Sequence, residues 1–310
     1  MRDSLITIFG GGGFLGKYIT QHLTTAGARV RIAQRNIRGA QDVKPLGNLG
    51  QTQLIAADIC KPDSVARAVH GADAVINLVG ILKGDFDSFH NQGAANVARA
   101  AAAQGCTALV HVSAIGADPQ SKSAYGRSKG EGEDAVRAAF PTATILRPSI
   151  VFGREDQFVN RFAGLISSLP VVPIIGGTAR FQPVYVDDVA QAVTASVADP
   201  ARFGGRTFEL GGPETISMSD LNRRIAAEIG AKPAFVEMPD ALSGLMAGMT
   251  GWLPGAPITR DQWTMLQSDN VVAAGADGLE AFGIAPTPMA AIIGDYLVRY
   301  RKQGRFSVRP

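Results

Sequence analysis

Phe9-Gly10-Gly11-Gly12-Gly13-Phe14-Leu15-Gly16 sets glycines at 10, 13 and 16, where an apolar run over 5–9 meets a segment of helical spacing over 14–26. The first glycine of such a spacing permits a tight turn, the second lets a ligand reach the backbone, and the third lets helix and strand pack closely. The helix that starts here offers free N–H groups and the positive end of its dipole, a setting for a diphosphate. Taken alone, the run also reads as a ligand-free turn in a chain with 36 glycines. Its place at the first strand–helix junction of an alternating chain gives it weight. Gly10, Gly13, Phe14, Leu15 and Gly16 are accordingly expected to line a pyrophosphate.

Working outward, short apolar runs over 5–9, 29–33, 53–57, 74–78, 109–113 and 143–146 read as buried parallel strands. Helical patterns over 14–26, 62–69, 88–104 and 123–139 lie between them. The 88–104 segment is almost all small residues from Ala94 to Ala103, which suits close packing on a sheet. Parallel neighbours need crossovers and both sheet faces need cover, so the expected fold is α/β, a Rossmann-type doubly wound parallel sheet. The expected domains are a nucleotide-binding one over 1–150, with 181–212 returning to it, and a smaller, partly discontinuous one over 151–180 and 213–310. In these later parts the sequence predicts a helix over 157–169, a strand over 181–185, a helix over 187–197, a strand over 207–210 and a helix from Ser217 to Ile229. The smaller domain is expected to cover the reactive end of the cofactor.

Composition narrows the function classes. At 310 residues, 46% hydrophobic and 18% charged, the chain has room for a large core and no signature of disorder. A formal charge of +3, with basic residues scattered except for Arg299, Arg301, Lys302, Arg305 and Arg309, argues against a nucleic-acid surface. Cys60 and Cys106 are isolated, and His22, His70, His90 and His111 lack ligand spacing, so no metal site is expected. The first strand begins within five residues of Met1, which predicts no signal peptide and a cytoplasmic, reducing setting. Residues 241–259, from Ala241 to Thr259, carry no charge, but Gly and Pro interrupt them. Leu242, Leu245, Met246, Met249, Trp252 and Leu253 recur there at helical spacing. They read either as core or pocket lid, or as a patch for a partner or membrane surface.

Several strand ends carry chemistry. The second strand runs into Gln34-Arg35-Asn36 with no acid to accept a ribose 2′-hydroxyl, and Arg35 and Arg38 supply positive charge instead. A guanidinium fits a phosphate bidentately, so NADP(H) is expected in preference to NAD(H). Asp58 and Ile59 follow the third strand, where they can meet an adenine; Leu78, Val79 and Gly80 follow the fourth, where the chain can pass close to a cofactor. Tyr125 and Lys129, four apart, share one helix face. The ammonium can hold ribose hydroxyls and lower the phenol from about 10 toward a working range. Arg154-Glu155-Asp156 is expected to cap a helix, and Arg180 is a candidate diphosphate contact.

The set Gly10, Gly13, Gly16, Asp58, Asn77, Gly80, Ser113, Tyr125, Lys129, Arg147 and Pro148 resembles the extended and atypical short-chain dehydrogenase/reductases, kin of the NAD-dependent epimerases and dehydratases. That resemblance covers about the first 215 residues and implies Tyr125, Lys129 and Ser113 as the catalytic set, with Pro148 beside the cofactor. The stretch from Tyr125 to Glu133 and the run from Arg147 to Phe158, with its Phe152-Gly153-Arg154-Glu155-Asp156-Gln157-Phe158, are similar to the nucleotide-binding accessory subunits of respiratory complex I (alpha subcomplex subunit nine) and their bacterial relatives. This resemblance implies a tightly held NADPH, a mainly structural role and a respiratory-complex partner. One departure stands out. Where the catalytic epimerases carry a second hydroxyl after the fifth strand, this chain has Ala114. Alanine cannot donate to a developing oxyanion, a loss of roughly 3 kcal/mol. Binding is therefore expected, with weak or no turnover; an active oxidoreductase or epimerase built on Tyr125, Lys129 and Ser113 is the alternative.

Overall fold

Residues 5–9 pair on both sides with parallel strands and bury Ile6, Thr7, Ile8 and Phe9 completely. A computed structural model describes residues 1–250, 258–302 and 304–306. In chain order it has β1 (Leu5–Phe9), α1 (Phe14–Thr25), β2 (Arg29–Gln34), β3 (Thr52–Ala56), α2 (Pro62–Val69), β4 (Ala74–Asn77), α3 (Gly93–Gln104), β5 (Ala108–Val112), α4 (Ala124–Ala139) and β6 (Thr144–Pro148). A 3₁₀ segment, Ile37–Leu46, follows β2, and a π-helical turn, Asp87–Gln92, precedes α3. The chain continues through β7 (Val151–Phe152), α5 (Phe158–Ser168), β8 (Val171–Ile174), β9 (Arg180–Phe181), β10 (Val184–Tyr185), α6 (Val186–Ala198), α7 (Pro200–Phe203) and β11 (Thr207–Leu210). It ends with β12 (Ile216–Ser217), α8 (Met218–Ile229), β13 (Ala234–Glu237), α9 (Asp240–Thr250), α10 (Arg260–Met265) and α11 (Met289–Leu297).

Two compact units share the chain. The first comprises Met1–Pro148, Val186–Leu210 and Ala274–Ala285. Its seven strands form one parallel sheet in the order β11-β6-β5-β4-β1-β2-β3. The order reverses direction between β1 and β4, which makes the carboxyl ends of these strands the crevice of a doubly wound sheet. The expected α/β Rossmann-type class is observed. Segments 149–150, 181–185 and 211–212 fall in the second unit and 274–285 in the first, unlike the division drawn from the sequence. On one face, Val65, Ala68, Ala94, Val97, Ala98 and Ala101 of α2 and α3 join Phe9, Val75, Leu109 and Ile145 in a single core. The alanines let α3 lie close, as their small size requires. Elsewhere α1 packs on α6, and His22 Nε2 lies 2.7 Å from Asp187 Oδ1.

The second unit comprises Ser149–Tyr185, Gly211–Ala273 and Pro286–Pro310. Its core gathers Val159, Ala163 and Ile166 of α5, Leu221, Ile225 and Ile229 of α8, and Ile293, Tyr296 and Leu297 of α11. The single strand expected over 181–185 is instead two. β9 pairs antiparallel with β12, while β10 pairs parallel with β7. Pro183 has no N–H to continue a ladder, so the run breaks there. Asp156 does cap α5: its Oδ1 accepts from Val159 N at 2.6 Å, and its Oδ2 accepts from Gly153 N and Tyr296 Oη, each at 3.0 Å. Ser217 Oγ caps α8 through Asp220 N at 3.0 Å.

The 241–259 stretch departs from the core reading. Leu242, Leu245 and Met249 of α9 are exposed, and it is Ser243 and Ala247 that are buried. Thr250 ends that helix, and Trp252 and Leu253 lie outside the described residues. Among the described residues, no helix is long and apolar enough to cross a membrane.

Candidate functional site

Every residue expected to touch a dinucleotide falls in the first unit, at or beyond the carboxyl ends of its strands. Gly10 takes φ +79°, a left-handed conformation open to glycine, and Gly10 N donates to Ala33 O at 3.0 Å. A Cβ on Gly10 would lie 3.5 Å from Leu78 and Val79, so the loop and the end of β4 are neighbours. Gly16 is packed tightly against the loop backbone: a Cβ there would stand 2.4 Å from Gly11 O. α1 thus begins directly against the loop, with Gly13 as its N-cap and no side chain capping it. Its first-turn amides, at Phe14 and Leu15, are the groups that a helix leaves for an anion.

At the end of β2, Gln34 Oε1 accepts from Gly12 N at 3.1 Å and its Nε2 donates to Asn36 O at 2.5 Å. The neutral residue where an acid would grip a ribose is thereby committed to shaping the loop. Asn36 Oδ1 caps the 3₁₀ segment through Arg38 N at 3.1 Å. Arg35 is exposed, with its Cζ 4.9 Å from the centre of the Phe89 ring. Asp58 Oδ1 accepts from Cys60 N at 3.1 Å, and Ile59 is buried in the core.

Farther along the crevice, α4 brings up Tyr125 and Lys129. Ser123 Oγ caps the helix through Gly126 N at 3.2 Å. A Cβ on Gly132 would fall 2.0 Å from His90 O, so α4 approaches the π-turn at a distance only glycine allows. Lys129 is buried, and its Nζ donates to Val112 O at 3.1 Å; burial pushes the ammonium down to about 8. Glu133, one turn on, pulls the other way. Tyr125 does not behave as expected from its spacing to Lys129. Loss of hydration pushes its phenol up to about 12 rather than down.

His90 was missed by motif reading. Its Nε2 accepts from Ile81 N at 2.9 Å, which leaves the proton on Nδ1, 2.9 Å from Ser128 Oγ. Ser128 Oγ passes the chain on to Tyr125 O at 2.9 Å. The His90 ring stacks on Phe86 and meets Tyr125 edge-on at 5.4 Å. Burial, with Lys129 nearby, pushes His90 down to about 4, so it is neutral. A Cβ on Gly80 would lie 3.6 Å from Lys129 Nζ and 3.8 Å from His90 Nε2, which puts all three in one corner. The only sequence signal was a histidine in an aromatic stretch, Phe86, Phe89, His90.

Ser113 is buried at the end of β5 with its Oγ unpartnered, and Ser113 N donates to Leu146 O at 2.7 Å. Ile115 N reaches Pro148 O at 3.1 Å, so the ladder runs on past Ala114. A cradle that a methyl group would fill and an orphaned buried hydroxyl fit a dinucleotide lying across the crevice. Arg180, expected as a possible diphosphate contact, is instead paired: Nη2 lies 2.8 Å from Asp269 Oδ2.

The family model for the NAD dependent epimerase/dehydratase family matches residues 6–211. The chain belongs to that family. Nicotinamide dinucleotide binding is the property its fold and glycine cradle share with this epimerase/dehydratase family. Among curated proteins it is similar to the alpha subcomplex subunit 9 of mitochondrial NADH dehydrogenase (ubiquinone) 1 of Arabidopsis thaliana, 32% identical over 96% of this chain and 78% of that one. It is also 30% identical to a ceramide reductase of Caulobacter vibrioides, over 76% of this chain and 74% of that protein. Among solved structures, an NADPH-dependent quinone oxidoreductase from Escherichia coli in complex with NADPH superposes with a TM-score of 0.73 at 18% identity, covering 92% of this chain and 97% of that one. This last likeness is one of fold.

Proposed function

We propose that this epimerase/dehydratase-family protein holds NADP(H) in preference to NAD(H) and serves as an accessory or assembly component beside a respiratory complex, with little or no turnover. The observation that carries the reading is Ala114, which puts a methyl group where a substrate-polarising hydroxyl would stand. Tyr125 adds to it, because a phenol at about 12 holds its proton too firmly for facile transfer. Arg35 and the committed amide of Gln34 favour a phosphorylated ribose. The near full-length similarity to alpha subcomplex subunit 9 proteins supports the partner. The expected setting is the cytoplasm, at the inner face of the membrane, with the exposed Leu242, Leu245 and Met249 as the contact.

Bound nicotinamide supplies or accepts a hydride. The chain's own groups do the rest: the first-turn amides at Phe14 and Leu15 bind the diphosphate, Lys129 holds ribose hydroxyls, Ser113 Oγ gains a partner, and Tyr125 holds a proton at its Oη. The test is mass spectrometry of the nucleotide released from the purified protein, with NADPH and NADH affinities by calorimetry. Retained NADP(H), slow exchange and recovery with membrane fractions are expected. Tighter NADH binding, or fast exchange from a protein free of membranes, overturns the reading.

A second reading is an active reductase of a lipid-like carbonyl, favoured by the similarity to a ceramide reductase and by the Tyr125–Lys129 pair. NADPH oxidation with long-chain ketones or quinones that disappears in Tyr125→Phe would establish it. Silence across those substrates and nucleotide sugars rejects it.

A further inference from the structure

We infer that Phe89 is a positioning residue for nucleotide specificity: its ring holds the Arg35 guanidinium in place to receive a phosphate on the adenosine ribose. The inference rests on the NADP(H) reading above. Arg35 Cζ lies 4.9 Å from the Phe89 ring centre, within the range where a cation is drawn to the face of an aromatic ring. Stacking uses the face of the guanidinium and leaves the N–H donors along its edge. Among the described residues no acceptor engages those donors. Arg35 is exposed, and no ion pair among the described residues takes up its guanidinium.

The ring is a fixed platform. Phe89 lies in the π-helical turn Asp87–Gln92, and its side chain packs against the core that holds Val65, Val97 and Ile59. The backbone next to it is tied down, because Cys60 Sγ donates to Ser88 O at 3.4 Å. The same turn aims Phe89 at Arg35 and the next residue, His90, at Tyr125. One turn of helix therefore addresses both ends of the crevice. A long exposed arginine loses rotamer freedom on grasping a phosphate; one already lying on a fixed ring loses less.

The prediction is selective. NADPH and NADH would be titrated calorimetrically into the wild type, Phe89→Leu, Phe89→Met, Phe89→Tyr, Arg35→Ala and the Arg35→Ala/Phe89→Leu double variant. Phe89→Leu and Phe89→Met should each weaken NADPH about threefold to tenfold and leave NADH within about twofold. Phe89→Tyr should keep the wild-type ratio, and Phe89→Leu should add nothing once Arg35 is alanine. Equal loss of both nucleotides, or no loss of NADPH while Arg35→Ala abolishes the preference, overturns the inference. If Arg35→Ala leaves the NADPH-to-NADH ratio unchanged, the NADP(H) reading itself has failed. Two apolar replacements are included so that one poorly folded variant does not decide the matter.

Discussion

The guanidinium of Arg147 forks onto the carboxylate of Glu133, with Nε–Oε1 and Nη2–Oε2 both at 2.8 Å. Glu133 is buried, one turn beyond Lys129, and Arg147 stands on β6, so the fork fastens the helix bearing Tyr125 and Lys129 to the sheet. Removing Glu133 takes away the fork and leaves Arg147 only the longer contact to Glu209 Oε1, at 3.5 Å. Glu133→Ala is expected to cost about 3 kcal/mol of stability, and Glu133→Gln less, measured by urea unfolding. Unchanged midpoints would show that the fork contributes nothing.

Gly16→Ala should disable the cradle. The new methyl would meet Gly11 O at 2.4 Å, and the atoms it meets are Gly11 backbone, which cannot swing aside as a side chain could. A destabilisation of about 1–3 kcal/mol, with loss of NADPH binding, is expected from thermal melts and calorimetry.

Two buried bases give opposite ends of the pH scale a signature. His90 titrates at about 4 in the folded chain against 6.5 ordinarily, so the folded state holds fewer protons between those values. Its contribution is present above pH 6.5 and lost as pH falls toward 4. His90→Asn should flatten that acid limb relative to wild type in urea titrations from pH 4 to 7.

Lys129 titrates at about 8 against 10.5 ordinarily, so its share of stability rises as pH climbs from 8 to 10.5. At pH 7 a charged ammonium is being kept out of water. Lys129→Met should therefore be more stable than wild type at pH 7, by up to about 3 kcal/mol, and the gap should close by pH 10.5. Dinucleotide binding should be lost at the same time.

Ala114→Ser restores a hydroxyl at the place where the family alternative needs one. Turnover of any carbonyl substrate should rise about a hundredfold with NADPH affinity unchanged. No gain would show that the missing donor is not what limits the site.

Much of this was legible in the residues. The buried runs of β1, β4 and β5 and the glycines at 10, 13 and 16 signal a doubly wound sheet, because hydrophobic continuity and glycine spacing are local properties. The π-turn was not legible: 87–92 has the spacing of an ordinary helix, and its close approach to α4 at Gly132 is a tertiary contact. Phe89 and His90 were hidden for the same reason. Pro183 marked a break that composition alone had smoothed into one strand. The exposure of Leu242, Leu245 and Met249 could not be read from spacing, since periodicity shows that a face exists but not what covers it. The shift of Tyr125 upward depends on how much water reaches its hydroxyl, a property of the fold.

The packing of α1 on α6 has a bearing on how the protein is made. The helix that opens the phosphate cradle is finished within the first 25 residues, yet its partner surface begins only at Val186. At about 5–20 residues per second, a ribosome takes many seconds to close that gap. During translation the nascent cradle has no α6 to lean on, and a transcript cut short before codon 186 would yield a glycine loop on an unsupported helix. A cradle braced by α6 is thus complete only once the chain has been made as far as Ala198.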